Sequence, residues 1–158
     1  MRFQVGKGMD EYLQKLGNLE MTAPLAIGRA VYDGAKVVAD AVKQNIEALP
    51  VDDSPHSEKV TGLKSIQKEG LKHGFGISKS EITNGYKHVK LGFDGYNKLK
   101  TKKYPSGQPN AMIARTFEAG NSFTKKTPFV GPAVRSSKNQ AEATMERTID
   151  AEINKVMN

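Results

Sequence analysis

At 158 residues, with 37% hydrophobic and 26% charged side chains, the chain has the length and composition of one folded globular domain with a modest core. It has no cysteine, which excludes a disulfide framework and a thiolate metal site. Lys7, Asp10, Glu11 and Lys15 break up residues 1–19, so no signal peptide is expected, and no apolar run approaches the roughly 20 residues that cross a bilayer.

Residues 2–5 read as an edge strand and residues 9–20 as a short helix. Thr22 then offers an N-cap with Pro24 in the first turn, which predicts a long helix over residues 24–49, ended by Pro50. Within it Val31, Ala35, Val38, Val42, Ile46 and Leu49 recur every three or four residues and so share one face, widened by Ile27 and Val37. Gly28 and Gly34 weaken that helix or admit another backbone close to it. The stripe is expected to cover the protein's own sheet. Residues 50–57 form a loop in which Asp52, Asp53 and His56 lack the spacing that converges ligands on a metal. Residues 60–71, with Leu63, Ile66 and Leu71, fit either a strand arm or a short helix.

Asn84-Gly85 between two extended runs predicts a β-hairpin with a type I′ turn, because both residues tolerate positive φ. Pairing outward from the turn puts Ile82, Val89, Leu91 and Phe93 on a core face and Lys79, Glu81, His88 and Lys90 on a wet face. Ile77 lands on the wet face in this register, so either a bulge intervenes, the favoured reading, or Ile77 contacts a second subunit. Residues 96–110 read as an exposed, mobile loop carrying Lys98, Lys100, Lys102 and Lys103. Asn110 is expected to cap a short helix reaching Phe117, with Gly120 just past its end. Ser137 and Gln140 match a capping box, and Met145, Ile149, Ile153 and Val156 form the apolar stripe of a closing helix over residues 137–157.

The net charge of +7 is unevenly placed. Between Gly95 and Thr127, Lys98, Lys100, Lys102, Lys103, Arg115, Lys125 and Lys126 face Glu118 alone, a net of +6 that leaves +1 elsewhere. Such a stretch meets a polyanion or an acidic protein surface, or it is a solvated, solubilising loop; charge pattern alone leaves both open. Tyr96, Tyr104 and Phe123 lie among these cations, as in single-strand nucleic-acid binders, but without an accompanying motif. His56, His73 and His88 have no recurring carboxylate arrangement and read as surface residues. Gly6-Lys7-Gly8 lacks the spacing of a phosphate-binding loop, and Gly74-Phe75-Gly76 is a flexible strand start. No catalytic constellation, cofactor or metal is expected.

From Ala114 to Ala133 the chain reads ARTFEAGNSFTKKTPFVGPA. This resembles the signature of the lambdoid phage tail-component family, a Glu-aromatic-Gly step, a short loop, and Pro-Phe-x-x-Pro-Ala. Glu118, Gly120, Pro128, Phe129, Pro132 and Ala133 stand at the matching positions, whereas Ala119 replaces the usual aromatic and Gly131 a frequent arginine. The order of a long helix ending near Ala48-Leu49-Pro50-Val51, a hairpin, the signature and a final helix is also similar to that family. The resemblance implies a virion protein of the neck that binds head-closure and tail-terminator proteins, works as a ring, and acts in head–tail joining or tail completion. Pro128 and Pro132 would stiffen the segment that Phe129 anchors.

The resulting expectation is a single α+β domain over residues 1–158. A small, mainly antiparallel sheet with a β-hairpin is covered by the two long helices, and an exposed basic loop spans residues 96–110. Its expected role is structural and not enzymatic, in the virion neck or tail and in the host cytoplasm during assembly. The alternative is a basic nucleic-acid-binding protein that holds phosphates through Lys98, Lys100, Lys102, Lys103, Lys125 and Lys126.

Overall fold

A computed structural model describes residues 7–55 and 59–158 of the chain. The expected strand at residues 2–5 and His56 lie outside the described residues. In chain order the elements are α1 (Lys7–Ala48), α2 (Ser65–Gly74), β1 (Phe75–Ile77), β2 (Glu81–Thr83), β3 (Tyr86–His88), β4 (Leu91–Phe93), α3 (Asn110–Ala119) and α4 (Val130–Met157). The class is α+β, with two long helices and two small antiparallel sheets of two strands each.

α1 is one helix where two were expected: it runs through Pro24, and Thr22 is no N-cap. The Thr22 hydroxyl donates back to the Asn18 carbonyl at 2.9 Å, an interior helical bond. Pro24 has no N–H to give the carbonyl four residues before it, so its position disfavours the helix. What overrides that local signal is the antiparallel partner α4. Lys15 Nζ donates to the Met157 carbonyl at 2.7 Å, Arg29 pairs with Glu152 at 3.0 Å, and Thr148 donates to Asp33 at 2.9 Å, on both sides of the proline.

The seam between α1 and α4 is made of small side chains. Ala26, Ala30, Ala35 and Ala39 are buried on α1, and Ala133, Ser137 and Ala141 on α4. At Gly34 the approach is closest: a Cβ there would stand 2.3 Å from Met145 Cε. The apolar stripe therefore packs chiefly on the closing helix, and only its C-terminal part, Val42, Ile46 and Leu49, meets the rest of the core, joined by Ala39 where Val38 was expected. α4 itself starts seven residues earlier than the capping-box pattern suggested. Ser137 lies inside it, buried, with its hydroxyl on the Ala133 carbonyl at 2.7 Å.

The core gathers Val42, Ile46, Leu63, Leu71, Phe75, Ile113, Phe117 and Phe129. Phe93 bridges it, 5.0 Å from the Phe75 ring and 5.9 Å edge-on from that of Phe129. Residues 60–71 divide: Val60 and Leu63 make isolated bridges to Thr124 and Val51, and α2 follows. The Asp53 carboxylate accepts the Ser65 N–H and hydroxyl at the start of α2, and Gln67 Oε1 accepts the Lys64 N–H at 3.0 Å.

The hairpin forms at Asn84-Gly85, with φ of 52° and 80°. Three residues separate β1 from β2 but only two separate β3 from β4, so one extra residue sits on the first arm. That bulge brings Ile77 opposite Leu91, where both pack on the core. Ile82 departs from its expected core position and is 68% exposed, because the hairpin tip extends past the core and lies over α1.

Candidate functional site

The motif residues meet at the corner between α3 and α4. α3 ends at Ala119 and is capped by Gly120, whose positive φ of 71° favours glycine and whose N–H donates to the Thr116 carbonyl at 2.8 Å. A side chain there would stand 2.9 Å from the Lys126 N and Cα, so the close return of the chain requires glycine. Two residues before Gly120, Glu118 turns its carboxylate onto the N-terminus of α4. Its oxygens accept the N–H groups of Phe129, Val130 and Gly131 at 2.7, 2.9 and 2.8 Å. The next residue, Pro132, has no N–H, so none of the four donors a helix start leaves unpaired remains open.

Burial pushes the Glu118 carboxyl up, but the three backbone donors and the charge of Lys126 outweigh it and hold it below the ordinary glutamate value. Phe129, 1% exposed, drives its ring into the core, and its carbonyl accepts a hydrogen bond from Asn45 Nδ2 at 2.8 Å. Ala133 is buried against α1, and Pro128 is exposed. Ala119, in the place of the family's aromatic, is exposed, and Gly131 contributes only its backbone to the Glu118 contact.

No family model, curated protein or solved structure matches this chain.

The loop over residues 96–110 has a built base: Tyr96 pairs with Pro109, and Asn97 Oδ1 accepts the Leu99 N–H at 2.9 Å. Thr101 and Tyr104 exchange backbone hydrogen bonds at 3.0 Å. Lys98, Lys100, Lys102 and Lys103 point outward from this frame, with Lys103 5.5 Å over the Tyr104 ring. Among the described residues none of these four pairs with an acid. Lys125 and Lys126 are also exposed but stand past the other end of α3, a helix about 15 Å long at 1.5 Å per residue. The structure thus places the six lysines in two groups.

Asn110 corrects a further expectation, being the first residue of α3 and not its cap. Its Nδ2 donates to the Asp94 carbonyl at 2.8 Å, lying where a side chain on Gly74 would collide. Between α2 and the loop is a cavity of about 440 Å³ lined by Ile66, Gly70, Tyr96, Asn97 and Asn110 among others. Asn97 Nδ2 and Asn110 Oδ1 have no hydrogen-bond partner, although both residues are only 3% exposed. Asn97 was not singled out in the sequence, and Asn110 was read only as a helix cap; Gly70 and Gly74, one turn apart on α2, are the signal that side chains must fit closely there. Two apolar strips are open on α1: Met9, Tyr12, Leu13 and Leu16 at its start, and Leu25 and Tyr32 facing Ile82 across a groove.

Asp52 accepts the Ser54 N–H and Asp53 caps α2. His73 and His88 each lie 3.6 Å from a glutamate, Glu69 and Glu81. Among the described residues no group of three His, Asp or Glu is placed to hold a metal.

Proposed function

We propose that this chain is a structural subunit of a tailed phage or prophage, acting in head–tail joining or tail completion through protein contacts in the neck. The observation that carries the reading is the corner at Glu118. The residues of the phage-like signature serve to fix one helix rigidly against another, with Glu118, Gly120, Phe129, Pro132 and Ala133 all engaged in holding the turn. That is how a binding protein presents surfaces, and open apolar strips on α1 and the unpaired lysines of the loop are such surfaces. Partners of this reading are head-closure and tail-terminator proteins and further copies of the chain. The test is electron microscopy of particles made without this protein: heads and tails that accumulate unjoined support it, and normal virions overturn it.

A second reading is favoured by the exposed, unpaired Lys98, Lys100, Lys102 and Lys103: contact with nucleic-acid phosphates. Binding to duplexes of unrelated sequence would then weaken with salt by a log–log slope of about −0.9 per phosphate contacted.

A further inference from the structure

We infer that the cavity between α2 and the loop over residues 96–110 holds one base of a single nucleic-acid strand, stacked on Tyr96, with the strand's phosphates on Lys98 and the loop lysines beyond it. The inference rests on the reading that the loop meets phosphates, and it assigns the part of the ligand that lies between them.

Of the three aromatic residues interleaved with the cations, the structure leaves Tyr96 as the platform. Tyr104 is half-buried with Lys103 over its ring, and Phe123 stands with Lys125 and Lys126 past the other end of α3. Tyr96 is 68% exposed and lines a cavity of about 440 Å³, within the roughly 300 to 1,000 Å³ of small-ligand sites. The α2 wall is one face of that helix, with Ile66, Glu69, Gly70 and His73 spaced three and four residues apart. A Cβ on Gly70 would stand 2.5 Å from that of Asn97, so the glycine lets the loop close the floor. The atoms of Asn97 and Asn110 that lack a hydrogen-bond partner are fully buried, beyond a ligand's reach, and recognition falls to the walls.

Those walls offer three kinds of group. Tyr96 and Ile66 are apolar, Glu69 is an acceptor, and Lys98 is a cation. A ligand that answers all three has a flat face, an N–H donor and an anion held together, which is the constitution of a nucleotide; an acidic protein surface answers only the cation. Glu69 already pairs with Lys72 at 3.2 Å and lies 3.6 Å from His73 Nε2, and its carboxylate keeps further lone pairs for a base N–H. The same carboxylate repels phosphate, which orders the ligand with its base toward α2 and its phosphate toward Lys98. Lys100, Lys102 and Lys103 follow on the same loop, exposed and, among the described residues, without acid partners, so they serve the next phosphates of a strand. Bases of a duplex are stacked inside it and do not enter, whereas those of a single strand are free to stack on an exposed ring. A carboxylate accepts from the 4-amino group of cytosine and repels the 4-oxygen of thymine, so the site prefers cytosine of the two.

The test is fluorescence anisotropy of the full chain with labelled oligo-dC, oligo-dT and a duplex of mixed sequence. Oligo-dC is expected to bind most tightly. Tyr96 makes its bridge to Pro109 through the backbone, so Tyr96→Ala should keep the circular dichroism of the parent. It should weaken oligo-dC binding about ten-fold to a hundred-fold and leave duplex binding unchanged, while Tyr96→Phe keeps both. Glu69→Gln, whose amide both donates and accepts, should erase the preference for oligo-dC over oligo-dT. Duplex bound as tightly as oligo-dC, with no effect of Tyr96→Ala on either, overturns the base site and leaves the phosphate reading standing; no binding to any of the three overturns both. A preference for oligo-dC that survives Glu69→Gln overturns the role of the carboxylate, and free dCMP that competes as well as the strand at equal nucleotide concentration overturns the strand as the ligand.

Discussion

Glu118 is separated from the helix it caps by a whole loop, so its role is a matter of tertiary geometry. The resemblance marked the residue, but nothing in residues 118–131 says that a carboxylate reaches across to three N–H groups. Glu118→Gln replaces one oxygen by an amide that faces a donor with a donor, which should destabilise the fold by about 1 to 3 kcal/mol at neutral pH. The folded carboxyl is held below its ordinary value, so its contribution is complete above the unfolded glutamate range, near 4.3, and is lost as pH falls through the lowered folded value. Urea titrations of both proteins should give a constant difference from pH 7 to about 5 that closes under stronger acid; a difference independent of pH is the outcome that rejects this account. Phe129 was legible as an anchor from its setting between prolines, and its burial in the core sets the magnitude. Phe129→Ala should lose about 3 to 5 kcal/mol, a large part of a typical domain's stability, visible as a much lower urea midpoint.

Elements whose signal is local were legible, and those decided by a distant partner were not. Asn84-Gly85 dictates its turn through its own backbone angles, and the misplacement of Ile77 in a simple register correctly demanded an extra residue. The start of α1 was misjudged because Thr22 and Pro24 form a good local cap, while the contacts that carry the helix through them come from α4, more than a hundred residues later. Ser137 and Gln140 misled in the same way, since Glu118 starts α4 earlier from outside the helix. Pro24 is therefore a standing defect in an otherwise continuous helix. Pro24→Ala restores an N–H toward the carbonyl of Glu20 and removes the ring's clash, and should stabilise the protein by about 1 to 3 kcal/mol. A raised melting temperature in calorimetry checks it; a fall would mean that the backbone at Pro24, whose carbonyl accepts from the hairpin's Lys87, depends on the proline.

At the scale of the whole molecule the charge asymmetry acquires a location. The sequence marked one basic stretch over residues 95–127, but the fold divides it, because α3 stands between the loop lysines and the pair Lys125 and Lys126. Of the six lysines only Lys98 lines the cavity beside α2, and the two groups are separable by mutation. Lys100, Lys102 and Lys103 are exposed, and their side chains hold no part of the core, so changing all three to glutamine should leave the urea midpoint within about 0.5 kcal/mol of the parent. If the loop docks on an acidic protein surface, the variant should lose binding to heads, tails or its own copies while Lys125→Gln with Lys126→Gln keeps it. If the lysines of both groups follow DNA, both variants should weaken duplex binding, each lowering the salt slope by about 0.9 for every phosphate contact removed. On the assembly reading, full infectious yield from a phage that carries only the triple variant is the result that assigns the loop lysines to solubility alone, since a loop that recognises an acidic surface or a phosphate backbone cannot lose most of its charge without a measurable fall in assembly.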